Sequence, residues 1–224
     1  MPAIASSARS SGPAPRKRRI RQSNEAQILR AAERVFARAG FAGARVADIA
    51  AEAALPKANL HYYFASKHAL YRAVLDNILA LWLAETDSIV PEAEPAAALA
   101  HYVRAKMRFS RLYPDASRVF ANEVIHGAPE IGEFLRTDLK ALVERKSAVL
   151  QGWIASGRMA PVEPRHLFFA IWAMTQTYAD FAAQMHAVLG IEALGEAEFA
   201  AATETVVDLV LRGCGVPPPK YACG

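Results

Sequence analysis

The sequence predicts an all-α protein in two parts, a small N-terminal helix-turn-helix unit and a larger helical domain behind it. Three observations carry this. Apolar residues recur at helical spacing almost everywhere after residue 22. No segment alternates as a strand between hairpin turns. The charge is divided along the chain: residues 1–72 hold 13 Lys/Arg against 4 Asp/Glu, a net +9, whereas residues 73–224 hold 13 against 18, a net −5. A basic first third suggests a polyanionic partner at that end and a different task at the other.

Residues 1–22 read as a disordered basic arm. Arg16, Lys17, Arg18, Arg19 and Arg21 follow Gly12, Pro13 and Pro15, and no acidic residue occurs before position 22. Residues 23–68 read as the helix-turn-helix unit. Ile28, Leu29, Ala32, Val35, Phe36 and Ala39 share one helical face, which Gly40 ends. Val46, Ile49, Ala50 and Ala53 repeat on a short second helix, and Pro56 opens a third that turns Leu60, Tyr63 and Phe64 inward. Ser66 is positioned to cap a long fourth helix reaching about Ile89. Residues 69–213 continue with helices at about 95–111, 115–126, 129–156, 164–189 and 196–212, separated by Pro and Gly. Residues 214–224 read as a flexible tail.

Composition removes several classes. The longest apolar run, Leu167 to Met174, is eight residues, far short of the ~18 a membrane-spanning helix needs. The N-terminus has no apolar stretch of the kind a secretory signal carries. The only cysteines, Cys214 and Cys223, lie near the C-terminus, where they cannot staple a core, so a reducing, cytoplasmic setting is expected. The six histidines show no metal-ligand spacing, and there is no GxGxxG, Walker or GxSxG motif. Neither a metal, a cofactor nor an enzymatic activity is expected.

In a helix-turn-helix the second of the paired helices enters the major groove with its N-terminal residues at the base edges. Here that helix exposes Lys57, Ala58, Asn59, His61 and Tyr62, groups able to meet bases or phosphates. An ordinary solvated surface helix would carry residues of the same kind. The ordered set Phe36, Gly40, Phe41, Ile49, Ala50, Leu60, Tyr63, Phe64, Lys67 and Leu70 resembles the DNA-binding domain of TetR-family transcriptional repressors. The resemblance implies that Lys57, Asn59, Tyr62 and Tyr63 face double-stranded operator DNA and that Lys67 touches a phosphate, with Arg45 a further candidate. The basic arm, Arg16 to Arg19, would then add salt-sensitive affinity. Two positions depart from the family pattern: Ala44 stands where a Thr or Ser commonly caps the second helix, and Ala54-Leu55-Pro56 replaces the usual Gly-containing turn.

The C-terminal part, over stretches such as YVRAKMRFSRLYPDASRVF and HLFFAIWAMTQTYADFA, resembles pyrimidine-responsive members of the same family. That implies a small-molecule effector, uracil or thymine, at Trp82, Trp172 and Gln176, with Tyr178 and Asp180 as further candidates. The residues make physical sense for such a ligand. Trp172, Gln176 and Asp180 are spaced i, i+4, i+8 along a largely apolar helix. A Gln amide supplies the donor and acceptor that complement an imide edge, and two indoles can flank a flat ring. The same residues also suit a plain core, with both Trp as packing and Gln bonded to backbone. A homodimer is expected, formed by helices 164–189 and 196–212, both apolar on more than one face. Three other readings remain open: a more hydrophobic effector, such as an efflux substrate, a constitutive DNA-binding protein with a filled domain, and an enzyme acting on pyrimidines.

Overall fold

The computed structural model describes the backbone of residues 15–83 and 88–217, and side chains from Arg19 onward with Leu83 excepted. Residues 1–14 of the expected arm, residues 84–87 of the expected fourth helix and residues 218–224 of the expected tail lie outside that description. Among the described residues every regular element is helical. Contacts divide the chain into two compact units, up to Ala73 and from Val74 onward.

The first unit begins with α1 (Pro15–Gly43), so the backbone of Arg16, Lys17, Arg18 and Arg19 is helical rather than the irregular arm expected. Pro15 suits a first helical position, and RKRRIRQ contains no helix breaker to keep the run extended. Gly40 still interrupts regular geometry, at φ 65 and ψ 174, a region essentially open only to glycine. Then come α2 (Val46–Glu52), α3 (Lys57–Tyr63) and the start of α4 (Lys67–Leu83). Ile28, Ala32, Val35 and Phe36 of α1 are buried, as are Ile49, Leu60 and Leu70. Two polar links fix the order of the helices. Arg34 and Arg38 donate to the Glu52 carboxylate at 2.6 and 2.8 Å, and Gln27 donates to the Ala53 carbonyl at 2.7 Å. The hydrogen bonds from Arg38 and then Arg34 hold the Glu52 carboxyl below the usual range.

The missing caps have visible consequences. Arg45 occupies the N-cap of α2 with no side-chain hydrogen bond to the helix, and Ala44 is buried. The turn after α2 closes with Leu55 N–H on the Ala50 carbonyl at 3.0 Å, which places Ala54 at φ 50, where glycine usually sits. Ala54→Gly is expected to stabilise the fold by about 0.5–1 kcal/mol by relieving that backbone, raising Tm by roughly 2–3 °C in a thermal melt. A lower Tm would mean that the extra unfolded-state freedom of glycine outweighs the strain. Ser66 caps α4 as expected, its Oγ accepting from Ala69 N–H at 3.0 Å.

In the second unit, α5 (Pro95–Leu112), α6 (Pro114–Ile125) and α11 (Glu196–Gly213) match the expected segments closely, whereas α8 (Lys140–Ala155) and α9 (Pro164–Asp180) cover only parts of theirs. The expected helix at 129–156 is not uniform: a single turn, α7 (Gly132–Phe134), passes through a π-helical turn, Leu135–Leu139, before α8 begins. The expected helix at 164–189 breaks at Phe181 (φ −113, ψ 30), and α10 (Ala182–Leu189) follows. No glycine or proline marks that break in the sequence. Leu99, Val103 and Met107 of α5 pack into one core with Trp153, Phe168, Ile171 and Val210.

The start of the expected tail belongs to the core instead. Cys214 and Val216 are buried there, and the Cys214 carbonyl accepts from Ala160 N–H at 2.8 Å. Gly215 allows the approach: with φ 62, a Cβ there would stand 2.7 Å from that of Ala160. Burial pushes the Cys214 thiol up to about 11, so it behaves as a small apolar group.

Candidate functional site

Two groups of residues have functional geometry, one in each unit. In the first, α3 turns Leu60 into the core and leaves Lys57, His61 and Tyr62 exposed, with Asn59 half-buried. Tyr62 is 71% exposed, an unusual placement for a large ring with nothing to cover it. It stands edge-on to Tyr63, ring centroids 5.2 Å apart, and the Arg21 guanidinium lies 5.9 Å from its centroid. Arg21 therefore braces the exposed tyrosine, a role its place in the basic run does not reveal. Tyr63 is half-buried and accepts a hydrogen bond from Asn24 at 3.2 Å, so its hydroxyl ties α3 to α1. The Lys67 ammonium donates to the carbonyls of Phe41 (2.7 Å) and Ala44 (3.0 Å) and lies 4.6 Å from the Phe41 ring centroid. Where a phosphate contact is expected from the sequence, Lys67 caps the end of α1, satisfying carbonyls that helix leaves open. Arg45 is exposed.

In the second unit, α4, α5, α6, α9 and the segment from Phe134 to Leu142 line a partly open cavity of about 320 Å³. Trp82, Trp172 and Gln176, the residues expected at an effector, all line it. Trp172 is oriented by a 2.7 Å hydrogen bond from its indole N–H to the Tyr102 hydroxyl. Trp82 packs on Phe120 at 4.1 Å and receives the Lys106 ammonium 4.4 Å from its ring centroid. Its own indole N–H is buried without a partner among the described residues. Lys106 is only 6% exposed, a costly position for an ammonium group. It shares the α5 face with Tyr102, one turn away, and both line the cavity. The Gln176 amide has no hydrogen-bond partner among the described residues, so the alternative in which it merely serves the backbone finds no support there.

Tyr178 and Asp180 do not line this cavity. The helix accounts for both. Six residues beyond Trp172 lies about 240° round the axis; eight residues lies about 80° round and about 12 Å further along. Tyr178 packs instead against Phe199, centroids 5.7 Å apart. Asp180 sits beside Ser117 and Arg118, where burial pushes its carboxyl up and those two neighbours pull it down. Spacing alone misses Tyr102, Lys106 and Phe120 as cavity residues, although Lys106 carries a readable signal: it interrupts the stripe Leu99, Tyr102, Val103, Ser110 that α5 buries.

An exposed helix-turn-helix followed by a helical domain that holds a cavity is the architecture of a DNA-binding transcription regulator. Residues 28–74 match the family model of bacterial regulatory proteins of the tetR family, and residues 75–217 match that of the YcdC-like protein C-terminal region. The chain belongs to the TetR family of transcriptional regulators.

Among particular proteins, it is 47% identical over 186 residues to the HTH-type transcriptional regulator RutR of Escherichia coli K12, covering 83% of this chain and 88% of that one. It is 30% identical over 132 residues to the HTH-type transcriptional repressor NicS of Pseudomonas putida, covering 58% of this chain and 61% of that one. Among solved structures, the transcriptional regulator SCO4942 of Streptomyces coelicolor superposes with a TM-score of 0.65 at 25% identity, over 87% of this chain and 99% of that one. AibR in complex with isovaleryl coenzyme A and operator DNA shares the fold, with a TM-score of 0.67 at 19% identity, over 88% and 99% of the two chains. These relatives are transcription regulators, in line with the absence of a catalytic motif from the sequence. No helix among the described residues is long and apolar enough to cross a membrane.

Proposed function

We propose that this protein is a homodimeric repressor that binds a pseudo-palindromic operator and is released by a pyrimidine base, uracil or thymine. The carrying observation is the cavity, which places the Gln176 amide, the Lys106 ammonium and a buried indole N–H beside two tryptophan rings. Uracil presents two carbonyls flanking one N–H. Gln176 complements one C=O/N–H pair, and Lys106 or the Trp82 N–H donates to the second carbonyl. The indoles supply stacking area for the ring. A purely hydrophobic effector would leave the Gln176 amide facing carbon with no partner, which disfavours that alternative.

Lys57, Asn59, His61 and Tyr62 on α3 are the proposed operator contacts, with Arg45 and Arg19 as phosphate partners. Dimerisation is supported by apolar side chains left in water on α9, α10 and α11: Phe169, Val188, Leu189 and Leu209 are each more than half exposed. α4 begins at Lys67 and carries Trp82 near its other end, so one helix runs from the DNA-binding unit to the cavity wall. Release requires the effector to bind the DNA-incompetent state more tightly, and the ratio of its two affinities sets the maximum response.

The test is a tryptophan-fluorescence titration beside an operator-binding assay on DNA selected from a random pool. Uracil and thymine are expected to quench saturably and to dissociate the operator complex, whereas adenine does neither. Operator affinity that stays constant at saturating uracil would sink the effector assignment and leave the DNA-binding regulator standing.

A further inference from the structure

The cavity is larger and more one-sidedly apolar than a bare pyrimidine base requires. Its 320 Å³ corresponds to on the order of ten waters at roughly 30 Å³ each, and uracil displaces roughly four of these. The lining is segregated by element. The polar atoms come from α4, α5 and α9: Trp82, Tyr102, Lys106, Trp172 and Gln176. α6 contributes only Phe120 and Val124, and the segment around the π-turn only Phe134, Leu135, Leu139 and Leu142. None of those six side chains carries a polar atom. A uracil seated by its imide edge on Gln176 and Lys106 would therefore leave more than half the space, walled largely by hydrocarbon, to be filled by water with few partners. Such water is displaced at a gain by an apolar group.

From this asymmetry we infer that the site is built for a pyrimidine carrying an apolar substituent on the ring carbons away from the imide, so that 5-alkyl uracils bind more tightly than uracil itself. The inference rests on the pyrimidine reading above and specifies the ligand class within it. Burial of each added methylene is worth about 0.8 kcal/mol, a factor of about four in Kd. The gain should continue while carbon replaces water and reverse once the substituent meets the π-turn leucines, whose packing then resists overfilling.

The experiment is a calorimetric titration of the full-length protein with uracil, thymine, 5-ethyluracil and 5-propyluracil. The expected result is a stepwise fall in Kd, about fourfold from uracil to thymine and about fourfold again to 5-ethyluracil, with a progressively more negative binding heat capacity. A companion variant, Leu142→Trp, should shift the ratio of affinities toward uracil by occupying the apolar half. If uracil binds and 5-ethyluracil binds no better, the inference is overturned while the pyrimidine reading survives. If no member of the series binds, the pyrimidine reading itself has failed. A series that tightens with chain length in the wild type and fails to shift in Leu142→Trp would place the substituent elsewhere and also overturn the inference.

Discussion

Gln176→Ala is expected to retain wild-type operator affinity and to raise the Kd for uracil by about 30- to 150-fold. The size of the effect follows from what the amide does. In the proposed complex an imide edge against it exchanges a donor and an acceptor, and truncation leaves both ligand groups facing apolar wall. Leaving buried polar groups unsatisfied costs about 2–3 kcal/mol together, which is that range of affinity. Operator binding is spared because Gln176 lies in the second unit, on α9, and bonds to no described protein group. The readout is a pair of curves, fluorescence quenching by uracil and operator retention against uracil concentration. The second curve should shift to higher uracil by the same factor as the first, because linkage ties release to differential binding. A variant that loses operator affinity without ligand would show that Gln176 holds the fold. Unchanged release would remove it from the site.

The parts of this molecule that can be read in advance are those governed by periodicity and by strong local signals. The helix-turn-helix is legible because Ile28, Ala32, Val35 and Phe36, and then Ile49, Ala50 and Ala53, recur at helical spacing, and those residues are the buried ones. Ser66 is legible as a cap because its hydroxyl competes for a free N–H at a helix start. Trp172 and Gln176 are legible as partners at i, i+4, which places them within about one turn on one side. What escapes depends on interactions that spacing does not encode. Analogy assigns Lys67 to a phosphate, yet nothing in its local sequence reveals that α1 ends with open carbonyls within reach of its ammonium. The π-turn at Leu135–Leu139 has no glycine or proline, so its sequence reads as ordinary helix. The basic run at Arg16 to Arg19 looks like an arm because charge and nearby proline dominate its composition, while the chain itself continues the helix behind it. Tyr178 and Asp180 follow Trp172 along the same helix and leave the cavity by rotation and rise.

For stability, the largest single loss is expected from Trp153→Ala. Trp153 is fully buried in α8, at the centre of the second unit's core, and its indole N–H donates to the Pro91 carbonyl at 3.2 Å. Two effects compete to explain its weight, and their magnitudes separate them. Removing a buried indole leaves a cavity worth about 3–5 kcal/mol. The hydrogen bond contributes about 1 kcal/mol at most, because Pro91 is exposed and its carbonyl also accepts from Arg158 at 3.0 Å, so it is not orphaned when the indole goes. Trp153→Phe, which keeps most of the apolar volume and loses the donor, should therefore cost only about 1–2 kcal/mol. Both values come from urea unfolding at one fixed protein concentration, since the proposed dimer would make apparent stability depend on it. Were Phe to cost as much as Ala, the hydrogen bond to the connector after α4 would outweigh the lost packing. The segment around Pro91 would then be held by polar contacts from α8 and Arg158 rather than by the apolar face of the indole.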